Sequence, residues 1–574
     1  MSAREGLPEL FARDWDVVVI GGGITGAGIL LEAARRGMKA LLVEQRDFAW
    51  GTSSRSSKLV HGGLRYLKEG QFALTRESVR EREHLLEQAA GLVEPQSFAF
   101  GDYVGRKPGR RAFLIGLAIY DRMAGQRARH YFSREEFAAL APNLNTEGLR
   151  GGMVYTDAKT DDARLVLRVL QEARAYGAAA LNYMAVESLL HADAGPAAAT
   201  AAGAANAATT AIGAAASVVV GVPKTRDVAA SPGDVCGVRL RDGLSGEWHE
   251  VRARLVINAT GAWADRLGLS ADARDRNRTG DAERTDATPR LRPLRGSHLV
   301  LAAWRLPLAQ AISLMHPADG RPVFAYPWEG VTLVGTTDVD HKEDLSHEAA
   351  ITRDEFDYLM SALHDQFPQL NLTDDDIIAT YAGVRPVIDS GKADPSREGR
   401  DHALWLEHGL LTVTGGKLTT FRVIALDALK LAATRLPELR DKLAPQAIFP
   451  PAPPLRYAPQ LPPGQAERLR GRYGSQAQPL IDAAQDGELE CIPGTATIWA
   501  QLRWAARHES VCKLEDLLLR RSRVGIQLRG GGIDILPRIR AICQPELGWD
   551  DQRWDTEQAA YLALWKTHYS LPQR

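Results

Sequence analysis

The chain has 574 residues, 70 Lys+Arg against 71 Asp+Glu, a formal charge of −1 and 45% hydrophobic content. That length exceeds what one core can organise and predicts two or three domains, while the balanced charge excludes a bulk nucleic-acid binder and the composition is that of a soluble globular protein. Four scattered cysteines (Cys236, Cys491, Cys512 and Cys543) include no Cys-x-x-Cys pair, which excludes a disulfide framework and a zinc site and fits a reducing compartment.

The polar residues 1–14 are not expected to act as a signal peptide. Residues 16–20 (DVVVI) form an apolar, β-branched run, the pattern of a fully buried strand. Gly21-Gly22-Gly23-Ile24-Thr25-Gly26 follows at once and puts G-x-G-x-x-G on Gly21, Gly23 and Gly26. A helix-period stretch, 27–36, closes on basic residues and Gly37, and a second strand, 39–43, ends at Glu44. The glycines permit a tight turn and let backbone amides reach a pyrophosphate that the helix N-terminus stabilises. Glu44 stands where an acid accepts hydrogen bonds from an adenosine ribose. A lone fingerprint says little, but strand, helix, strand and acid in register identify a dinucleotide site.

Residues 52–67 (TSSRSSKLVHGGLRYL) follow, a run of hydroxyls and paired glycines that offers many donors and close backbone access to a flat, phosphate-rich cofactor. Residues 71–90 and 162–178 read as amphipathic helices, the second leading into a strand at 180–188. The uncharged 194–223 stretch is mostly Ala, Gly, Thr and Asn, too weakly apolar to enter a bilayer, and reads as a surface insertion. Strands resume at 236–240 and 250–257, and the latter breaks into Asn258-Ala259-Thr260-Gly261, which points to flavin rather than nicotinamide. Residues 268–290 are charged and turn-rich, an expected loop. The strand runs between 294 and 340 suggest a mixed sheet for a substrate domain. A helix at 354–367 and a strand at 377–388 follow. The strand at 410–414 meets Gly415-Gly416-Lys417-Leu418-Thr419-Thr420 before a helix at 421–434, so glycines again sit at a helix N-terminus suited to an anionic group. Residues 446–464, with PPAPP and LPPG, read as a linker, and 465–574 as a separate small helical domain.

These motifs resemble the FAD-dependent glycerol-3-phosphate dehydrogenases, within the D-amino-acid-oxidase-like flavoproteins. The resemblance covers nearly the whole chain: VVVIGGGITGAGI, TSSRSSKLVHGGLRYL, DDARLVL, NATGAWAD, RGSHLVL, VGTTDVDH, YAGVRPV, GGKLTTFR and RHESVCKLEDLLLRRSRVG. It implies an α/β fold with an α+β substrate domain: a Rossmann-like FAD-binding domain at about 14–100, 150–293 and 375–445, interleaved with a mixed-sheet substrate domain at about 101–149 and 294–374, making one region over 1–445. The Ala-rich insertion (about 194–233) and the 268–290 loop depart from the compact family pattern, and both fall between motifs.

The resemblance further implies oxidation of sn-glycerol 3-phosphate to dihydroxyacetone phosphate by hydride transfer to the flavin N5 of noncovalent FAD, with electrons passing to a membrane quinone. A phosphate dianion asks for Arg forks, and Arg65 and Arg385 lie in the best-matching motifs, with Tyr66 as a hydrogen-bond donor. Lys417 is expected near the flavin N1–C2 carbonyl, where its charge stabilises the reduced cofactor. His298 is the first candidate base and His61 the competitor, with an arginine or ordered water still open. The expected catalytic set is His298, Arg385 and Lys417. The expected cofactor contacts are Gly21, Gly23, Thr25, Gly26, Glu44, Thr52, Ser53, Ser54, Ser57, Lys58, His61, Gly62, Gly63, Val186, Thr260, Gly261, Gly335, Gly416, Lys417, Leu418 and Thr419. No metal is expected, because Asp161-Asp162 and Asp374-Asp375-Asp376 read as helix caps.

Basic residues at 106–111 precede the nine-residue apolar run AFLIGLAIY and Asp121-Arg122-Met123. The run is too short to span a bilayer but suits an interfacial anchor on anionic lipid. The expected location is therefore cytoplasmic, peripheral to the inner face of the cell membrane, with a second copy of the chain as a further candidate partner and nucleic acid as none. Two competing functions remain: a hydrogen-peroxide-forming glycerol-3-phosphate oxidase, and a flavin-binding protein without this turnover.

Overall fold

A computed structural model of the chain describes residues 6–573 except 69, 107–108, 126–127, 193–230, 268–290, 390, 392–400 and 457–458, and only the backbone of Arg65 and Lys68. Trp15–Ile20 lies inside the first sheet, in parallel with Ala40–Val43 on one side and Trp248–Asn258 on the other, so that Val18 faces both Leu41 and Val256. Ala179–Leu181 and Leu410–Gly415 extend the parallel array at its two ends. Such a sheet is covered on both faces, which is why its strands read as unbroken apolar runs. The helices Ile24–Ala34, Asp162–Ala175 and Phe421–Ala432 share one core with one face. Ile24–Ala34 is the inner helix, buried along almost its whole length. Gly28 lets it approach Phe421, whose Cδ2 would lie 2.8 Å from an added Cβ.

The other face packs under an antiparallel extension made by Met184–His191 and Val235–Asp242. That pair is tied at its open end: Ala192 N–H donates to Asp234 O at 2.9 Å and Gly233 N–H to Ala192 O at 3.0 Å. The Ala-rich insertion between them, like the 268–290 loop, lies outside the described residues.

Among the described residues, ten strands form the second sheet. One of its two longest pairings sets Leu291–Ala302 against Ile377–Ile388, with Leu294 opposite Arg385, Gly296 opposite Gly383 and His298 opposite Tyr381. Val331–Gly335 flanks the same strand, placing Gly335 opposite His298. The sheet also takes in Leu59–Val60, Val93–Tyr103 and Leu149–Thr160. Sheet membership thus departs from the sequence-based spans, which put 93–100, 150–160 and 377–388 with the cofactor domain. Alternation identifies a strand, but distant pairings such as Phe98 with both Tyr155 and Ala311 decide which sheet it joins.

The helices after residue 465 form the C-terminal helical domain that the sequence suggested, and they pack directly on the second sheet. Trp499, Leu517, Leu518 and Trp554 belong to the same core as Tyr326, Trp328 and Tyr381 of the second sheet. The described residues of the proline-rich stretch 446–464 carry neither helix nor strand.

Candidate functional site

The turn after the central strand is built by close approach. Gly21 takes φ +111°, and a Cβ there would lie 2.6 Å from Ala259 O, so the first glycine-rich turn rests directly on the Asn258–Gly261 turn. A Cβ on Gly26 would strike Gly21 O. The Ile24–Ala34 helix begins at Gly23 with no side-chain cap of its own. Ser53 supplies one from another loop, its Oγ accepting from Ile24 N at 3.0 Å.

Glu44 accepts Gly22 N–H on Oε2 at 2.7 Å and Arg46 N–H on Oε1 at 2.8 Å. Burial pushes its carboxyl above the usual range, against those two backbone bonds. Each oxygen keeps further acceptor capacity, as a ribose diol requires. Val186 packs beside the cluster that contains Leu181 and, from its own strand, Met184. Thr260 donates from both N and Oγ1 to Asn258 Oδ1, and Gly261 O accepts from Thr414 Oγ1 at 3.2 Å. Thr25 is half-buried in the first helical turn. Glycines where a side chain would collide, a helix N-terminus served by a neighbouring serine and an acid with acceptors to spare together fit the phosphates and ribose of FAD.

The 52–63 segment joins the two sheets. Thr52 Oγ1 donates to Val384 O, Gly62 N–H to Asp157 Oδ1 at 3.0 Å, and His61 O accepts from Thr419 Oγ1 at 3.3 Å. Gly63 leaves room for the Tyr66 ring. Ser54 O accepts from Lys58 Nζ at 2.9 Å. The Lys58 ammonium is fully buried, 3.0 Å from Asp162 Oδ1. Burial first, then Arg523, holds its pKa down to about 8.

Two side-chain groups carry the remaining candidates. In the first, His298 is buried and stacked on Tyr381, with Nε2 2.9 Å from Ser57 Oγ. Its Nδ1 is buried and has no hydrogen-bond partner. Burial, then the charges of Arg385 and Lys58, hold the ring well below the ordinary histidine pKa, so it is neutral near pH 7. Gly335 leaves the space that the His298 ring fills. Arg385 donates to Asp338 Oδ1 at 2.9 Å and to Thr336 Oγ1 at 3.0 Å, while Arg321 approaches the other Asp338 oxygen at 3.5 Å.

In the second group, Lys417 Nζ donates to Ser78 Oγ at 2.7 Å and lies 4.1 Å from the Tyr66 ring centroid. The Tyr66 ring is 6.4 Å from that of His61. Gly416, Lys417, Leu418 and Thr419 lead straight into the Phe421–Ala432 helix. The Arg65 side chain lies outside the described residues.

Sequence reasoning missed Ser57 as the partner of His298, Asp338 as the anchor of Arg385, and Ser78 under Lys417. Asp338 lies in VGTTDVDH and was within reach; the other two pairings are long-range, with no local signal. Asp161 caps the Asp162–Ala175 helix through Arg164 N, and Thr373 caps the Asp374–Asp376 turn. Among the described residues no group of three His, Cys, Asp or Glu side chains is placed to hold a metal.

Residues 16–422 match the family model described as FAD dependent oxidoreductase, and 428–554 match the C-terminal domain of alpha-glycerophosphate oxidase. An aerobic glycerol-3-phosphate dehydrogenase of Staphylococcus haemolyticus is 34% identical over 534 residues, covering 89% of this chain and 87% of that one. Among solved structures, the glycerol-3-phosphate dehydrogenase from Bacillus halodurans complexed with FAD aligns with a TM-score of 0.68 and 26% identity over 98% of each chain. An FAD-bound L-alpha-glycerophosphate oxidase from Mycoplasma pneumoniae, at 17% identity and a TM-score of 0.51, shares the fold over 73% of this chain and 94% of its own.

Proposed function

The chain belongs to the FAD-dependent oxidoreductases and, within them, to the aerobic glycerol-3-phosphate dehydrogenase family, and on that footing we propose that it oxidises sn-glycerol 3-phosphate to dihydroxyacetone phosphate and passes the electrons to a membrane quinone. The observation that carries the reading is the match with a relative of that name over 89% of the chain.

Bound FAD supplies the two-electron acceptor for the hydride leaving substrate C2. The chain's own residues bind, orient and manage the proton. Arg385 offers a guanidinium fork already oriented by Asp338 and Thr336, suited to a phosphate dianion; Arg65 and Tyr66 complete the substrate set. His298 takes the proton of the C2 hydroxyl. A neutral ring with its hydrogen on Nε2 donates to Ser57 Oγ and leaves the Nδ1 lone pair as acceptor. Lys417, steadied by Ser78 and Tyr66, would offer a positive charge to the reduced form of the bound cofactor.

The quinone assignment draws support from the Arg110–Ala124 helix. Leu117 and Tyr120 are buried, while Arg111, Ile115, Ile119 and Arg122 recur at helical spacing on one face, with Ile115 63% and Ile119 37% exposed. Apolar side chains bracketed by cations suit the headgroup level of an anionic bilayer. None of the described helices is long and apolar enough to cross a membrane, so the contact is peripheral.

The test is the anaerobic visible spectrum of the purified protein with and without sn-glycerol 3-phosphate. Bleaching of the flavin bands supports the substrate assignment, and an unresponsive flavin overturns it. Slow reoxidation in air, accelerated by a quinone analogue, supports the dehydrogenase; fast reoxidation with peroxide makes it an oxidase.

A further inference from the structure

The 47–58 loop has two sides. From the cofactor side, Ser53 Oγ meets the helix N-terminus at Ile24 N and Ser57 Oγ meets His298 Nε2. From behind, it is held by arginines more than 460 positions along the chain. Arg521 forks onto Asp47, Nη1 to Oδ2 at 2.5 Å and Nη2 to Oδ1 at 2.7 Å, and Arg520 Nε donates to the same carboxylate. Asn182 Nδ2 donates to Oδ1 at 2.9 Å, so the carboxylate is fully paired. Arg523 Nη2 donates to Ser54 O at 2.7 Å, one residue from Ser53. All three guanidinium groups and Asp47 are buried.

A buried charge pair holds its geometry because breaking it strands an uncompensated charge. The loop therefore cannot shift its hydroxyls without moving Asp47 or the Ser54 carbonyl against these arginines. The 520–523 turn is in turn seated by Asp516, which accepts from Arg520 Nη2 at 2.6 Å and from Tyr183 OH at 2.6 Å.

We propose that Arg520, Arg521 and Arg523 are positioning residues for the cofactor site, fixing the loop that carries Ser53 and Ser57 so that docking of the C-terminal helices and binding of FAD stabilise one another. The coupling is reciprocal, as linkage between two binding events must be: arginines that favour the FAD-competent loop are themselves held more firmly when FAD is bound. The proposal rests on FAD occupying the Gly21–Gly26 side of this loop, and it does not depend on which substrate the enzyme oxidises.

The test uses the full chain. FAD affinity is measured by flavin fluorescence on protein stripped of cofactor, for wild type, Arg523→Ala, Arg523→Lys and Arg540→Ala. Arg540 serves as control because its pairs with Asp551 and Asp555 are exposed and remote from the loop. Arg523→Ala is expected to weaken FAD binding at least tenfold, with Arg523→Lys recovering part of the loss through one donor to Ser54 O and Arg540→Ala within twofold of wild type. In the FAD-saturated enzyme the KM for sn-glycerol 3-phosphate should change less than twofold. An Arg523→Ala protein that melts earlier yet binds FAD as wild type does would overturn the proposal, reducing the arginine to a structural staple.

Hydrogen exchange on the wild type decides the matter if that variant does not fold. FAD should slow exchange at 514–527 together with 47–58, and protection confined to 47–58 rejects the coupling. A wild-type flavin that sn-glycerol 3-phosphate fails to bleach would remove the substrate reading and leave this result standing.

Discussion

His298 lies flat on Tyr381, ring centroids 4.6 Å apart and planes 8° from parallel, and Lys58 Nζ stands 4.7 Å from the centroid of the same phenol ring. The imidazole is thus buried against an aromatic wall with Arg385 and Lys58 nearby, and protonating it would add positive charge where two cations already act.

The pH profile follows from that enclosure. Burial, Arg385 and Lys58 all lower the His298 pKa, so the ring stays neutral as pH falls through 6.5, and kcat/KM should stay flat there and decline only in more acid solution. His298→Asn should cost about 10²–10⁴-fold in kcat while the visible flavin spectrum persists. The stability sign is the opposite of that for a paired histidine: below pH 6.5 the unfolded chain takes up a proton that the folded ring refuses, so stability falls as pH falls. Denaturant titrations at pH 5.5 and 7.5 should show that slope reduced in His298→Asn.

Arg385→Lys should act on binding more than on turnover. Lysine replaces a fork held by Asp338 and Thr336 with a single mobile ammonium. The loss of a charge-assisted contact is about 1.5–3 kcal/mol, read in steady-state kinetics as a KM increase larger than the fall in kcat.

Trp554→Ala probes the shared core. The indole is fully buried in the cluster that joins the C-terminal helices to Tyr326 and Trp328. Truncation should cost about 3–5 kcal/mol, and calorimetry should show the second sheet and the C-terminal helices still melting in one transition. Early melting of the helices alone would contradict a common core.

Replacing Ile115 and Ile119 together by Gln should weaken sedimentation with vesicles containing anionic lipid and leave activity with a soluble acceptor unchanged. Raising salt should weaken vesicle binding of the wild type, as expected where cations contribute. Equal binding of both proteins to the vesicles would count against this face.

The cofactor fingerprint was legible because its grammar is local. Strand, glycine turn, helix and acid fall within residues 16–44, each following from neighbours a few positions away, and the fold returns them in that order. The Ser57–His298 pair was not legible, because its partners are 241 positions apart and meet only when the two sheets do. The burial of Arg520-Arg521-Ser522-Arg523 was not legible for a different reason: a basic run is ordinarily solvated, and its burial depends on Asp47, Asp161 and Asp162 arriving from the other end of the chain. Lys58 likewise gave no local sign that its ammonium turns inward to Asp162. Charge reads as surface until a partner is known.

The backbone knot between Ala192 and Gly233–Asp234 has a practical consequence. Because the strands on either side are pinned where the chain leaves and returns, the sheet closes at that neck by its own backbone hydrogen bonds. The same neck is a natural graft point for a fluorescent or affinity module, because the strands that lead into and out of it, Met184–His191 and Val235–Asp242, pack on the face opposite the Ile24–Ala34 helix.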